Sequence, residues 1–346
     1  MDLNAKIKVL DDLGRWLKGG PHDEIELAKL KSTRENQWFT PDNLDRAINA
    51  VAVEYLDGDK IESWLRNYPL QASSQHERNV AVIAAGNIPM AGLHDLLAVF
   101  LSGNRLQFKP SSKDAFLIPA LLKKMIELEP GVAKKISIVD KVKTPDAVIA
   151  TGSSNTARYF EAYFRDIPRI VRKNRNSVAV LDGSESWEDY EKLGRDIYQY
   201  FGLGCRSVSY LYVPEEFDFA PMMEYFKTHF SKAVDHTKYQ NNYEYNLACS
   251  MLNNEELIIG EHLLLFQKDS YLSRIATLNY RHYREIDEVI QELEDRRDQI
   301  QCVAAGMDLG DGLESIRVEP GHTQQPQLKD YADGVDTLEF LLSLKK

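Results

Sequence analysis

Short apolar runs alternate with amphipathic stretches from about residue 79 onward, and this alternation limits the fold more than any other feature of the sequence. Strands are predicted at residues 79–85, 105–109, 136–139, 147–150 and 177–181. The stretches between them have helical spacing and predict helices at residues 91–102, 113–128, 155–164 and 187–201. Strands that alternate with helices in this way build a parallel, doubly wound sheet, which binds ligands at the carboxyl ends of its strands.

A second series of the same kind follows Cys205. Its strands are predicted at residues 208–213, 263–267, 276–280 and 301–305, with helices at 220–230 and 287–295. About the first 70 residues look helical instead, because apolar residues recur at helical spacing there and Thr40-Pro41 forms a helix cap. We therefore predict an α/β protein with two doubly wound α/β domains and a helical N-terminal segment.

Composition and charge exclude several classes of protein. The 346 residues include 43% apolar side chains and carry a formal net charge of −11, which suits a globular protein and opposes binding to nucleic acid or anionic membranes. No apolar run approaches the ~20 residues that span a bilayer, and the N-terminus lacks the apolar block of a signal peptide. The sequence therefore predicts a cytoplasmic protein with no nucleic-acid partner and no membrane span.

Three turns that follow predicted strands are candidates for ligand binding. They are Gly86-Asn87-Ile88-Pro89, Lys109-Pro110-Ser111-Ser112 and Thr151-Gly152-Ser153-Ser154. The usual glycine-rich motifs for dinucleotides and nucleoside triphosphates are absent, so a nucleotide would need another binding scheme. Each turn taken alone is also an ordinary turn or helix-cap sequence.

The fourth candidate is the segment Gly202-Leu203-Gly204-Cys205-Arg206-Ser207, at the junction of the two strand-helix series. The glycines leave room for a substrate near the backbone, and a positive charge such as that of Arg206 favours a thiolate. This local sequence fits a nucleophilic cysteine and a small buried core residue equally well. Cys249 and Cys302 are predicted to be structural, and the spacing of the three cysteines predicts no metal site.

Two further features are assigned structural roles. His94 is predicted to be a packed polar residue rather than a general base. The tyrosine- and amide-rich residues 239–246 are predicted to line a hydrogen-bonded loop, with substrate contact as the alternative.

Taken in order, the four motifs resemble those of the aldehyde dehydrogenase superfamily, in particular its acyl-CoA reductase branch, which is similar to the LuxC component of bacterial luminescence systems. The resemblance spans about residues 79–305 and implies an aldehyde dehydrogenase-like fold. It implies that Cys205 is the nucleophile and that the Asn87 amide joins the Cys205 main-chain N–H in an oxyanion hole. The implied cofactor-binding residues are Lys109, Ser111, Ser112, Gly152 and Ser153.

The resemblance also implies an activity: reduction of an acyl thioester, either acyl-CoA or a carrier-bound fatty acyl group, to an aldehyde. Ser112 stands where the superfamily often has a glutamate that contacts the adenosine ribose, and this favours NADPH over NADH. Two alternatives stay open: an NAD(P)-dependent aldehyde dehydrogenase that forms acids, and a non-catalytic cofactor-binding subunit of an acyl-transfer complex. A partner protein that transfers the acyl group and a homo-oligomer are both compatible with the resemblance.

The superfamily segment Glu-Leu-Gly-Gly-Lys, whose glutamate activates water, falls on residues 171–175, where no carboxylate stands. We therefore expect slow hydrolysis of an acyl-enzyme. The predicted domains are residues 1–202, with the N-terminal helices and the dinucleotide-binding unit, and residues 203–320, the catalytic unit that carries Cys205. Residues 321–346 are predicted to pack back on the body.

Overall fold

A computed structural model describes residues 1–70 and 77–344, and these divide into two units. The first unit comprises Met1–Asn174 and Pro326–Lys346, of which 345–346 lie outside the described residues, and the second comprises Arg175–Gln325. Each unit is built on its own sheet, as the alternation of strands and helices predicts.

The sheet of the first unit has five parallel strands in the order β3-β2-β1-β4-β5. The strands are β1 (Asn79–Ile83), β2 (Arg105–Lys109), β3 (Ile136–Ile138), β4 (Ala147–Thr151) and β5 (Arg169–Arg172). The order reverses between β1 and β4, which lie side by side, so this sheet is doubly wound. Such a reversal creates a crevice at the carboxyl ends of the two central strands.

Helices surround this sheet and form the N-terminal segment. They are α1 (Leu3–Lys18), α2 (Asp23–Glu35), α3 (Pro41–Glu54), α4 (Gly58–Leu65), α5 (Leu93–Leu101), α6 (Leu117–Leu128) and α7 (Ser154–Tyr163). Thr40 caps α3 through the Asn43 N–H, and Pro41 occupies the first turn, as the Thr40-Pro41 pair predicts. Helix α2 is not predicted from the sequence, because its Leu27 and Leu30 side chains are exposed and interrupt the amphipathic pattern.

The end of the chain, residues 326–344, belongs to the first unit, and we call it the C-terminal strap. It ends in helix α13 (Thr337–Ser343). The Tyr68 hydroxyl donates to Asp336 at 2.5 Å, and the Leu328 carbonyl oxygen lies 2.8 Å from Nε2 of His94. The strap therefore makes polar contacts with helix α5 and with the residues that follow α4.

The sheet of the second unit has seven strands in the order β12-β11-β6-β7-β10-β9-β8, all parallel except for the β8–β9 pair. The strands are β6 (Asn176–Val180), β7 (Val208–Pro214), β8 (Ile258–Ile259), β9 (Leu264–Gln267), β10 (Thr277–Tyr283), β11 (Ile300–Ala305) and β12 (Arg317–Val318). The helices are α8 (Trp187–Tyr198), α9 (Phe219–His229), α10 (Ser231–Val234), α11 (Thr237–Leu252) and α12 (Ile286–Asp295).

Helix α11 contradicts the loop predicted at residues 239–246. Tyr239, Asn246 and Ser250 are buried at helical intervals, and the Asn246 side chain donates to the Ile275 carbonyl oxygen at 2.9 Å. Helix α11 thus buries polar side chains, so its sequence lacks the apolar periodicity by which a helix is recognised.

The boundary between the two units differs from the predicted domain boundary. The second unit begins at Arg175, whereas the predicted second domain begins at residue 203. The predicted first domain includes β6 and α8, but β6 pairs with β7 and β11 in the seven-stranded sheet. Strand-helix alternation has the same appearance in both sheets, so it does not reveal which sheet a strand joins. Residues 321–325 likewise group with the second unit and not with the C-terminal strap.

Candidate active site

The three candidate turns of the first unit lie at one edge of its sheet. The Asn87 turn (residues 84–92) follows β1, the Ser111 turn (residues 110–116) follows β2, and the Ser153 turn (residues 151–153) leads from β4 into α7. Because β1 lies between β2 and β4, these turns are neighbours at the carboxyl ends of the strands. Asn87 is exposed at this edge.

The Asn87 turn and the Ser111 turn are packed against each other. A Cβ added to Gly86 would lie 2.4 Å from Oγ of Ser111 and 2.9 Å from Cβ of Lys113. No side chain fits in that space, so the approach of the two turns explains the glycine before Asn87. The Ala84 N–H also donates to the Lys109 carbonyl oxygen at 3.1 Å.

The edge has features suited to a dinucleotide. Ser153 caps α7, and its hydroxyl lies 3.0 Å from that of Thr156, so the start of a ten-residue helix stands directly beyond β4. Helix N-termini attract phosphate groups, because their N–H groups point outward and the helix dipole is positive there. Lys109 is half-buried at the end of β2, whereas Ser112 is exposed. Gly152 lies between β4 and the cap.

In the second unit, an abrupt turn leads from α8 to Cys205. The helix was predicted to continue to residue 201, but Tyr200 and Phe201 adopt left-handed backbone conformations with φ of 55° and 57°. Gly202 follows with φ of 72°. Left-handed conformations are unfavourable for bulky residues, and burial of both aromatic side chains helps to hold them here. The chain therefore leaves the helix sharply and enters the Cys205 loop (residues 202–207).

Cys205 is half-buried, and its main chain is held by a side chain from β6. The hydroxyl of Ser177 donates to the Cys205 carbonyl oxygen at 2.9 Å and lies 3.1 Å from Sγ of Cys302. Since the single hydroxyl proton goes to the carbonyl, the Cys302 thiol is the donor to Ser177. Burial raises the pKa of Cys302 to about 11, which keeps this cysteine a thiol near neutral pH.

A second contact holds the other end of the Cys205 loop. The Gln324 side chain donates to the Ser207 hydroxyl at 3.1 Å, and both residues are buried. Next to Gln324, the main-chain N–H of Thr323 donates to Asp196 on α8 at 3.1 Å, as does that of Gly321 at 2.7 Å. No local pattern identifies Ser177, Gln324 or Asp196, because their partners lie 28, 117 and 127 positions away in the chain.

At residues 171–175, where the superfamily's glutamate would fall, Arg172 is engaged in a buried ion pair. Its guanidinium donates to both oxygens of Asp95, at 2.6 and 3.1 Å, and to the Thr337 hydroxyl of the C-terminal strap at 2.8 Å. Burial raises the pKa of Asp95, but the charge and hydrogen bonds of Arg172 outweigh it, so that the pKa lies below its usual value. Asp95 therefore stays ionised and paired.

His94 is also engaged. Besides its contact with Leu328, its ring packs against those of Tyr55, Trp64 and Tyr331, with centroids 5.2–5.5 Å apart. This matches the predicted packed polar residue. Across residues 1–70 and 77–344, no group of three or more His, Cys, Asp or Glu side chains is placed to hold a metal ion. In the same ranges, no helix has the length and apolar character needed to cross a membrane.

Solved structures identify the fold of this chain. Aldehyde dehydrogenase 21 from Physcomitrella patens, in complex with the reaction product succinate, matches with a TM-score of 0.67 at 14% identity, over 99% of this chain and 84% of that one. An oxidoreductase from Marinobacter aquaeolei matches with a TM-score of 0.65 at 12% identity, over 94% and 79%. An NADP dependent enzyme from E. coli gives 0.66 at 16% identity, over 92% and 78%. The fold is that of the aldehyde dehydrogenases.

The family model described as acyl-CoA reductase (LuxC) matches residues 20–311. This chain therefore belongs to the LuxC family of acyl-CoA reductases. The match includes helices α2 to α4, the whole five-stranded sheet and the seven-stranded sheet except for β12. No curated protein sequence matches the chain significantly.

Proposed function

We propose that this protein uses NADPH to reduce an acyl thioester to an aldehyde, through an acyl group held covalently on Cys205. The observation that carries the proposal is the anchored Cys205 loop in a member of the acyl-CoA reductase family. Ser177 holds the loop at Cys205 and Gln324 holds it at Ser207, while the Cys205 side chain stays half-buried rather than buried. Cys302, by contrast, is a buried thiol.

In the first step, the thiolate of Cys205 attacks the carbonyl carbon of the thioester. The new S–C bond forms, the bond from that carbon to the sulfur of CoA or a carrier thiol breaks, and the leaving thiolate takes up a proton. The proposal assigns the Asn87 amide and the Cys205 main-chain N–H to the oxygen that becomes negative during attack. Cys205 then holds the acyl group as a thioester.

NADPH, when bound, supplies a hydride to the acyl carbon. The residues proposed to hold it are Lys109, Ser111, Ser112, Gly152 and Ser153, at the sheet edge where the N-terminus of α7 suits a pyrophosphate. After reduction, Cys205 carries a thiohemiacetal. Breaking its C–S bond releases the aldehyde and returns the free cysteine.

The preference for NADPH is proposed from the charges of the Ser111 turn. Ser112 and Lys113 are exposed, and Lys109 is half-buried. The single carboxylate between residues 109 and 114, that of Asp114, is buried and accepts a hydrogen bond from Met90. The exposed part of this turn is therefore positive, which favours the 2′-phosphate that distinguishes NADPH from NADH.

Transfer of the acyl group to a thiol, rather than to water, follows from the residues near position 172. Hydrolysis needs a general base that contributes ~10²–10⁴ in rate, and Arg172, Asp95 and His94 are all held in other contacts. A thiol has a pKa near 8.5 and is partly ionised without help. Acyl-CoA and carrier-bound acyl groups both fit this proposal as substrates.

The test is CoA dependence in the reverse direction. Given an aldehyde and NADP⁺, the enzyme should form acyl-CoA continuously with CoA present and stop after about one turnover without it. Cys205→Ala should abolish both phases, and Cys249→Ala should leave them unchanged. Sustained release of free fatty acid without CoA would instead identify an acid-forming aldehyde dehydrogenase. NADPH binding with a Cys205 that resists thiol reagents would identify a non-catalytic subunit.

A further inference from the structure

Asp114 lies where the Asn87 turn and the Ser111 turn meet. Its side chain is buried, and Oδ2 accepts a hydrogen bond from the main-chain N–H of Met90 at 2.6 Å. Its own N–H donates to the Ser111 carbonyl oxygen at 3.1 Å, which closes the Ser111 turn. One side chain thus connects the turn after β2 to the far end of the turn after β1.

The residue that Asp114 holds has an unfavourable backbone conformation. Met90 has a φ of 58°, in the left-handed region that residues with a Cβ rarely adopt. A hydrogen bond to a carboxylate is stronger than one to a neutral acceptor, so it can stabilise such a position. Met90 is three residues beyond Asn87, and its conformation helps to set the path of the turn that presents Asn87.

Asn36, at the end of α2, forms a second connection between the same two turns. Its buried side-chain amide lies 3.2 Å from the Lys113 carbonyl oxygen and 3.5 Å from the Gly86 carbonyl oxygen. The Asn87 turn is therefore tied to the Ser111 turn on both sides of Asn87: at Gly86 through Asn36, and at Met90 through Asp114.

The Asp114 carboxylate uses only one of its two oxygens in this contact. The second oxygen, Oδ1, is buried and accepts no hydrogen bond from any residue in the described ranges 1–70 and 77–344. Burying an incompletely paired carboxylate is unfavourable. An asparagine would accept the same Met90 N–H without that cost, so the contact with Met90 needs a hydrogen-bond acceptor at position 114 rather than a charge.

We propose that Asp114 is a positioning residue that fixes the Asn87 turn against the Ser111 turn, so that one side chain supports both the oxyanion group and the cofactor-binding residues. This inference rests on the proposed function, because Asn87 and Ser111 have their roles only there. It predicts that one substitution impairs two separable events: acylation of Cys205, which needs no cofactor, and binding of NADPH, which needs no acyl group.

The experiment compares Asp114→Ala, Asp114→Asn and Asn36→Ala with the wild type. Acylation is followed by mass spectrometry after mixing with acyl-CoA, and NADPH binding is followed by fluorescence titration. Asp146→Ala is the matched control, since the exposed Asp146 accepts the Asn79 N–H at 2.7 Å at the opposite end of β1. Asp114→Ala should slow acylation and weaken NADPH binding by about tenfold each, which is the size expected for losing a charged hydrogen bond.

Asp114→Asn keeps an acceptor for Met90, so its acylation rate and its affinity for NADPH should be close to those of the wild type. Asp146→Ala should change neither quantity. The inference is overturned if folded Asp114→Ala equals the wild type in both measurements, loses only one of them, or is not rescued by asparagine. If Asp114→Ala does not fold, Asn36→Ala decides: unchanged acylation and binding would overturn the inference. A wild type that shows neither acylation of Cys205 nor NADPH binding would refute the proposed function itself.

Discussion

The side-chain hydroxyl of Ser177 and the main-chain oxygen of Cys205 lie 2.9 Å apart, and this hydrogen bond joins β6 to the loop that carries the proposed nucleophile. Ser177→Ala should slow acylation of Cys205 about fivefold to tenfold, because a buried hydrogen bond contributes ~1 kcal/mol and its loss frees the loop. The rate of acylation by acyl-CoA measures the effect.

Ser137→Ala is the control for that variant. Ser137 on β3 donates to the Leu106 carbonyl oxygen at 3.1 Å, so it has the same chemistry in the other sheet. An acylation rate in Ser177→Ala equal to that of Ser137→Ala would show that the contact does not position Cys205.

Cofactor preference should follow the charge of the Ser111 turn. Ser112→Glu places a carboxylate on the exposed part of this turn, where it repels a 2′-phosphate and can accept hydrogen bonds from ribose hydroxyls. A charge contact of this type contributes ~1–3 kcal/mol. The Kd for NADH divided by the Kd for NADPH should therefore fall by roughly tenfold to a hundredfold in this variant. Titration of both cofactors measures it. Tighter binding of NADH by the wild type would contradict the assignment of Ser112.

Asp114 should make the free energy of unfolding depend on pH. Burial raises the pKa of Asp114 to about 6, and the hydrogen bond from Met90 only partly opposes this. Because the pKa is higher in the folded state, this contribution to stability is fully present below about pH 4 and is lost as the pH rises through 6. The loss amounts to about 3 kcal/mol at most.

Urea unfolding at several pH values tests this contribution. Asp114→Asn should be less sensitive to pH than the wild type between pH 4 and 7. Asp196, whose pKa burial also raises to about 6, is present in both proteins and does not affect the difference. Parallel curves for the two proteins would show that Asp114 does not titrate in this range.

The buried pair of Arg172 and Asp95 should be important for stability. Both side chains are less than a tenth exposed, so Arg172→Ala leaves the Asp95 carboxylate buried without its partner. Removing one member of a buried ion pair typically costs 3–5 kcal/mol, and we expect a loss of about that size in the free energy of unfolding. Asp95→Asn combined with Arg172→Gln should be less destabilised than Arg172→Ala alone. A loss below ~1 kcal/mol in the single variant would contradict this account.

Much of the fold was predictable because its central strands are apolar runs bounded by turns. Strand β2 has the predicted limits, and β1, β4 and β7 differ from prediction by one or two residues at their ends. Strand β5 was missed because arginines stand at both of its ends. From the sequence alone, Arg172 looks like a surface residue, because its partner Asp95 lies 77 positions earlier in the chain.

The candidate site was predictable to a similar extent. The turns with Asn87, Lys109 and Ser153 could be placed because residues that follow parallel strands gather at one edge of a sheet. The residues that hold the site in place could not. Gln324 reaches Ser207 across 117 positions, and Asn36 reaches the Lys113 carbonyl oxygen across 77. Such contacts depend on the packing of distant elements and leave no local pattern.

The most direct test of the account is the identity of the residue that becomes acylated. The protein is incubated with an acyl-CoA and no reductant, quenched, digested and analysed by mass spectrometry. The account predicts a mass increment of one acyl group on the Cys205 peptide, its removal when NADPH is added, and its absence from Cys205→Ala. An increment on the Cys249 or Cys302 peptide, or reduction of acyl-CoA by Cys205→Ala at the wild-type rate, would contradict it.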